Sequence, residues 1–196
     1  MDTIFNSTEK NARGIPAAPF VAEVEEFVKD PNDFDLVFSK FQDRLSMYKY
    51  MQESKGSTVK QLRVRIPDIE HTLQVCETLQ RHHDLSADED DNEMEVHYQL
   101  NDTLYTKATV DTKDAKVGLW LGADVMLEYP VDEAIVLLQE RHKAAQKGLE
   151  TALEDVEFLR ENITTMEVNC ARLYNWDVER RKALREAEEG TKNLAI

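Results

Sequence analysis

Few side chains in this 196-residue sequence are of a type and spacing that supports covalent chemistry. Two cysteines, Cys76 and Cys170, are too few for a disulfide framework and do not make a zinc site alone. His142 has no Cys, Asp or His at ligand spacing beside it, so packing is the simpler role. His82 and His83 abut an acidic stretch, where a solvated helix end explains them better than a metal site. Gly118 and Gly122 flank Leu119-Trp120-Leu121. A phosphate-cradling loop, however, needs a Lys-Ser/Thr pair opening a helix, and the dinucleotide fingerprint needs three spaced glycines. Neither is present, and glycines that allow tight turns or close strand approach account for the pair. No Ser-His-Asp arrangement or nucleophile elbow can be picked out by spacing. The expectation is a chain that is not an enzyme and takes no cofactor and no metal.

Charge narrows the partners further. The chain carries 24 Lys+Arg against 39 Asp+Glu, a formal net charge of −15. It lacks the basic stripe that neutralises phosphates, so neither nucleic acid nor an anionic membrane surface is an expected partner. The most apolar stretch, Val117 to Leu127, is interrupted by Asp124 and is far shorter than the roughly 20 residues of a membrane span. The opening MDTIFNSTEKNARGIP contains no apolar signal region, and with so few cysteines the chain reads as a reduced, cytoplasmic protein. Only 6 Gly and 5 Pro argue against a fold of many short turns, and 32% charged residues favour long solvated helices.

Heptads supply those helices. Residues 1–19 are polar, end in Pro16 and Pro19, and read as a disordered tail; a short amphipathic piece with Phe20, Val24 and Phe27 follows. Asp30-Pro31-Asn32-Asp33 is a helix start, with an N-cap acid and Pro at the first helical position. Steps of four and three then link Phe34, Phe38, Phe41, Leu45, Tyr48, Gln52, Lys55, Val59, Leu62, Ile66, Ile69, Leu73 and Cys76. This first rod, placed within 20–83, would be about 70 Å long, with Pro67 expected to kink or divide it. The second rod, 130–189, repeats the pattern through Ile135, Leu138, His142, Ala145, Leu149, Ala152, Val156, Leu159, Ile163, Met166, Cys170 and Leu173. It would run for about 85 Å before a tail at 190–196. Two matched rods with a reversal between them predict an antiparallel coiled-coil hairpin.

Between the rods the period changes. Residues 84–95 (DLSADEDDNEME) form a solvated acidic loop. Over 96–129 the period is two, and four short strands in two hairpins are expected. Val96, Tyr98, Leu100, Leu104 and Val110 share one face of the first hairpin. Val117, Leu119, Leu121, Val125 and Leu127 carry the second, with Trp120 and Met126 on its alternate face. Four short strands on a thin coiled coil cannot bury both faces within one chain. They predict assembly with other subunits through edges and faces, so these residues are the candidate assembly surface. The fold class is α+β: an antiparallel coiled-coil hairpin of two long helices, joined by two β-hairpins that complete a multi-subunit β-barrel.

The stretches 97–108 (HYQLNDTLYTKA), 118–134 (GLWLGADVMLEYPVDEA) and 155–181 (DVEFLRENITTMEVNCARLYNWDVERR) resemble the eukaryotic α-type subunits of prefoldin. The opening 6–16 (NSTEKNARGIP) is similar to an N-terminal extension found there. The resemblance covers nearly the whole chain, and its strand motif is more specific than its coiled coils. It implies a heterohexameric co-chaperone in which this chain joins one further α-type and four β-type subunits. Their hairpins would form a double β-barrel platform from which six coiled coils hang. It further implies partners in unfolded actin and tubulin, held without ATP, and in the cytosolic chaperonin that receives them.

The rod ends gain meaning in that setting. An antiparallel hairpin brings Phe20, Val24, Phe27, Phe34 and Phe38 near Leu173, Tyr174, Trp176 and Leu184. Two readings stand side by side: a capping cluster against fraying, or client-contact residues that grip unfolded segments weakly. A scaffold or tethering coiled coil without holding activity is the alternative for the whole chain. It differs in one observable, since a tether does not keep denatured actin or tubulin in solution.

Overall fold

A computed structural model describes residues 10–28, 30, 33–86, 93–113 and 116–194. The helix α1 spans Val24–Phe27, α2 Phe34–Ser86 and α3 Val131–Leu194; between the long helices come β1 Glu93–Asn101, β2 Leu104–Asp111, β3 Lys116–Gly122 and β4 Val125–Pro130. The chain divides into two compact units, residues 1–59 with 151–196, and residues 60–150. Each is described separately.

In the first unit α2 and α3 run antiparallel. Phe34 stacks against Trp176 with ring centroids 6.3 Å apart, and further along Lys49 pairs with Glu167 at 2.8 Å. The core holds the expected seam residues Phe34, Phe41, Tyr48, Leu159, Ile163, Met166 and Leu173. Val21, Val24, Val28 and Val37 join them. Three of these come from residues 21–28, and Ile15 and Ala18, in the stretch read from sequence as a tail, pack against them. From Lys10 to Pro16 the chain closes a loop, and residues 15–21 then continue as an extended strap against α3. Its prolines hold φ near the extended range and remove two donors that would otherwise need partners. Residues 1–9 of that tail lie outside the described residues.

The expected start of the first rod also moves. Asp33 sits in a short turn that bonds its amide to the Asp30 carbonyl at 2.9 Å, and the helix begins at Phe34. Pro31 and Asn32 lie outside the described residues. Helix α2 continues through Pro67 without a break. Pro67 and Arg63 are both exposed, so water can satisfy the Arg63 carbonyl that the proline cannot. Helix α2 reaches Ser86 and β1 begins at Glu93, which shortens the expected 84–95 loop from both sides; residues 87–92 lie outside the described residues. Helix α3 runs to Leu194, past the expected end at 189, with residues 195–196 not described.

In the second unit the seam continues through Leu62, Ile66, Ile69, Leu73 and Cys76 on α2, none of them exposed. Acids at Asp132 and Glu133 favour the α3 N-terminus, directly after Pro130. The four strands form two separate antiparallel hairpins, β1–β2 and β3–β4. The second turns tightly at Ala123-Asp124, both with positive φ (50° and 58°), as a two-residue hairpin turn of matching twist requires. Gly122, at φ 97°, takes up the register shift beside it.

Candidate functional site

The register of β1–β2 decides what its two faces carry. Met94 lies opposite Val110, Val96 opposite Ala108, Tyr98 opposite Thr106, and Asn101 opposite Leu104. Because successive side chains alternate, Met94, Val96, Tyr98, Leu100, Leu104, Ala108 and Val110 form one apolar face. Glu93, Glu95, His97, Gln99, Tyr105, Lys107, Thr109 and Asp111 form the other, with Lys107 paired to Glu95 at 2.6 Å. The apolar face stays open: Tyr98, Leu100, Leu104 and Val110 are exposed, and Val96 is half-buried.

The second hairpin is split between its faces. Leu119 is buried at 7% exposure, and Val117, Leu121 and Tyr129 pack with it against Cys76, Val131, Ala134, Ile135 and Leu138. On the opposite face Trp120 lies across from Met126, and both are more than half exposed, at 56% and 60%. Met126 reaches over Gly118, where a Cβ would meet its sulfur at 3.1 Å, so that glycine makes room for the thioether. Val125 and Leu127 are also exposed. The candidate assembly residues thus divide. Val117, Leu119 and Leu121 serve the chain's own core, and the other nine offer surface.

The tip residues divide in the same way. Val24, Phe34 and Leu173 are buried, and Phe27, Phe38 and Trp176 pack against the same core. Phe34 stacks on Phe38 at 5.6 Å between centroids, and Phe27 meets Phe41 edge-on at 6.1 Å. Those six pack together as one cluster. Phe20, Tyr174 and Leu184 are exposed, with the Arg172 guanidinium 4.8 Å from the Phe20 ring centre. Helix α3 keeps residues 181–187 exposed, so Leu184 lies apart from the cluster.

A set of polar residues on α3 has no counterpart in the expectations drawn from the seam. Asp155, Asn162 and Asn169 recur every seven residues and are all buried; Asp155 binds the loop at Asn11 and Arg13, and the two asparagines bind the strap. Asn11 Nδ2 donates to Asp155 at 2.9 Å while Asn11 Oδ1 accepts from the Arg13 and Ile15 amides, folding the loop around Gly14. Arg13 also donates to Asp155, and Lys55 pairs with its other oxygen at 2.9 Å. Burial raises the Asp155 pKa, but the hydrogen bonds and charges of Lys55 and Arg13 outweigh it and hold the carboxyl below its usual range. Asn162 Oδ1 accepts the Ala18 amide. Asn169 bridges two strap residues, accepting from Val21 N at 2.9 Å and donating to Pro19 O at 2.7 Å. One heptad further, Trp176 donates to Glu25 at 2.7 Å; the backbone amide of Glu25 and, after it, this bond lower the Glu25 pKa. Tyr48, fully buried on the seam, places its hydroxyl on the Pro16 carbonyl at 2.9 Å.

The cysteines and His142 fit packing roles. Burial, with Glu77 beside Cys76 and Glu167 beside Cys170, raises both thiol pKa values, which disfavours the reactive thiolate. His142 Nε2 donates to Glu70 at 2.8 Å between the helices. Among the described residues no group of three or more His, Cys, Asp or Glu is placed to hold a metal, and no helix is long and apolar enough to cross a membrane.

Comparison with known proteins identifies the family behind this geometry. Residues 48–176 match the Prefoldin family, described as prefoldin subunit. Prefoldin subunit 3 of Saccharomyces cerevisiae is 66% identical over 200 residues, covering 100% of both chains. Prefoldin subunit 3 of Elsinoe fawcettii is 45% identical over 93% of this chain and 90% of its own. That of Homo sapiens is 42% identical over 93% and 88%. The chain belongs to the prefoldin family. Among solved structures, a chain of filamentous PFD from Methanocaldococcus jannaschii aligns with 60% of this chain and 95% of its own, at 16% identity and a TM-score of 0.39. The prefoldin match opens at Tyr48 and spans both hairpins, so the strap precedes it and the open sheet face lies inside it.

Proposed function

We propose that this prefoldin subunit works as one member of a heterohexameric co-chaperone, with one further α-type and four β-type partners. The complex holds unfolded or nascent actin and tubulin without ATP and passes them to the cytosolic chaperonin in the cytoplasm. The observation that carries this reading is the apolar face of β1–β2, left uncovered by the described residues of its own chain. A face of that kind costs solubility unless other subunits cover it. Tyr98, Leu100, Leu104, Val110, Trp120, Val125, Met126 and Leu127 make the assembly contact in this reading, with Val96 at its margin. Phe20, Tyr174 and Leu184 offer clients weak apolar contacts, and several rods acting together supply retention that none provides alone.

Reconstitution with candidate β-type and α-type subunits tests it. The chain alone should associate poorly or heterogeneously, and native mass measurement should find one defined hexamer once the partners are added. That hexamer should keep denatured actin and tubulin soluble without nucleotide and release them to added chaperonin. A monodisperse, fully stable monomer that ignores its partners would sink the reading. A hexamer that forms but leaves actin to aggregate would favour the tethering role.

A further inference from the structure

The strap is bound mainly through its backbone. At Ala18, Pro19 and Val21 the partners are the amides of Asn162 and Asn169, which take an N–H or a C=O and read no side chain. Arg172 adds the Val21 and Ala22 carbonyls at 3.0 and 3.3 Å, and Tyr48 the Pro16 carbonyl. Only small or β-branched side chains enter the core beside them, with Val21 fully buried and Ile15 and Ala18 packed at its margin. This is the chemistry of a groove that accepts an extended polypeptide by its main chain, as an added strand does at a sheet edge. Side-chain hydrogen bonds are made in the loop before it, where Asn11 and Arg13 fasten to Asp155, and within the strap the Arg172 guanidinium also lies over the exposed Phe20 ring.

We propose that the groove along Asn162, Asn169 and Arg172 is a binding site for extended segments of unfolded clients, and that residues 15–21 are its tethered occupant, displaced when a client binds. The proposal rests on the holding function above and adds to it a site and a gate. Two roles separate along the strap: Asn11 and Arg13 are the latch, and residues 15–21 are the stand-in for substrate. A tethered occupant competes at high effective concentration, so weak or isolated apolar segments stay out. A client held at several rods at once can meet that competition. Release needs no nucleotide, because the strap returns to its own groove.

The complex reconstituted from this full chain and its partner subunits provides the test, with a fluorescein-labelled peptide of residues 10–28 as the probe. Asn11→Ala with Arg13→Ala loosens the latch and leaves the groove intact. The probe should bind that complex at least about tenfold more tightly than wild type, since the open fraction limits apparent affinity. Adding Asn169→Ala should remove the gain. Equal affinity for the wild-type and unlatched complexes, or a gain indifferent to Asn169, overturns the proposal. A second measurement does not depend on the variants folding. In the wild-type complex, hydrogen exchange at the Ala18 and Val21 amides should quicken at least about tenfold when denatured actin is bound. Unchanged protection with actin demonstrably bound also overturns it. If the complex fails to hold actin at all, the holding function fails, and the peptide titration still decides whether the strap gates the groove.

Discussion

The two units answer the same physical demand in opposite ways. In the unit of residues 1–59 and 151–196, the buried polar groups Asp155, Asn162 and Asn169 find partners within the chain, each bonded to residues 11–21. In the unit of residues 60–150, a hairpin with a clean apolar face leaves it open to solvent. The contrast teaches where this prefoldin subunit is finished and where it needs other chains. Substitutions should therefore separate cleanly. Those at buried residues of the first unit should register in the stability of the chain itself, and those on the open faces of the second should register only in assembly.

The largest effect is expected at Trp120. The side chain is 56% exposed, so Trp120→Asp should leave the helicity and urea midpoint of the isolated chain nearly unchanged. In the proposed complex the new carboxylate would be buried without a partner, at a cost of several kcal/mol, enough to abolish the hexamer at micromolar concentrations. Native mass spectrometry with partner subunits reads the loss directly. Assembly at wild-type concentration would break the contrast by showing that this face is not the joint.

Next comes a matched pair of leucines. Leu159 is fully buried, and Leu159→Ala should destabilise the isolated chain by about 2–5 kcal/mol through lost burial and the cavity left behind. Leu100, 58% exposed on β1, should lose less than about 0.5 kcal/mol on the same truncation. Urea titrations of the two variants sharpen the comparison. A cost at Leu100 similar to that at Leu159 would mean the hairpin face is covered within the chain in solution.

Much of this division was legible beforehand. The heptad steps placed seam residues from Phe34 to Cys76 and from Ile135 to Leu173, and none of them is exposed. The period-two stretches gave the two hairpins and their turns. The strap was not legible, because it has no period of its own and its partners are amides rather than apolar side chains. One signal was available. Asp155, Asn162 and Asn169 stand immediately before seam residues Val156, Ile163 and Cys170, at a flank where coiled coils usually carry exposed Glu or Lys. Two asparagines and an aspartate at seven-residue spacing there mark a flank that is covered. The tip candidates were only half resolved for a similar reason. Sequence brings Phe34, Phe38 and Trp176 together with Phe20, Tyr174 and Leu184, but only packing separates the cap from the exposed residues.

A middle-sized effect lies at Asp155. Asp155→Asn should cost the first unit about 1–3 kcal/mol, less than breaking a wholly buried pair, because Arg13 and Lys55 both retain access to water. The pH dependence has a definite sign. A carboxyl held below its usual range contributes its full stabilisation above the ordinary value, about 3.9, and loses it as pH falls through the depressed one. The gap in urea midpoint between wild type and D155N should be widest near neutrality and should close in acid below that ordinary value. A gap that persists unchanged into strong acid would mean the ion pairs with Arg13 and Lys55 contribute nothing.

The smallest effect on stability should come from Leu184, and its value lies in that smallness. Residues 181–187 of α3 are all exposed, and Leu184 is 54% exposed beyond the packed cap. Leu184→Gln keeps the length and helix preference of the side chain, so the urea midpoint should move by no more than about 0.5 kcal/mol. Assembly should be untouched, because the residue belongs to neither open hairpin face. Suppression of actin aggregation by the complex should nonetheless fall, more so when Tyr174→Gln is added. A drop in holding without a drop in stability assigns client contact to the exposed part of the tip. Unchanged holding in the double variant would leave Phe20 and the strap groove as the places where clients are gripped. The comparison would then turn inward, to a surface the first unit keeps covered until it is used.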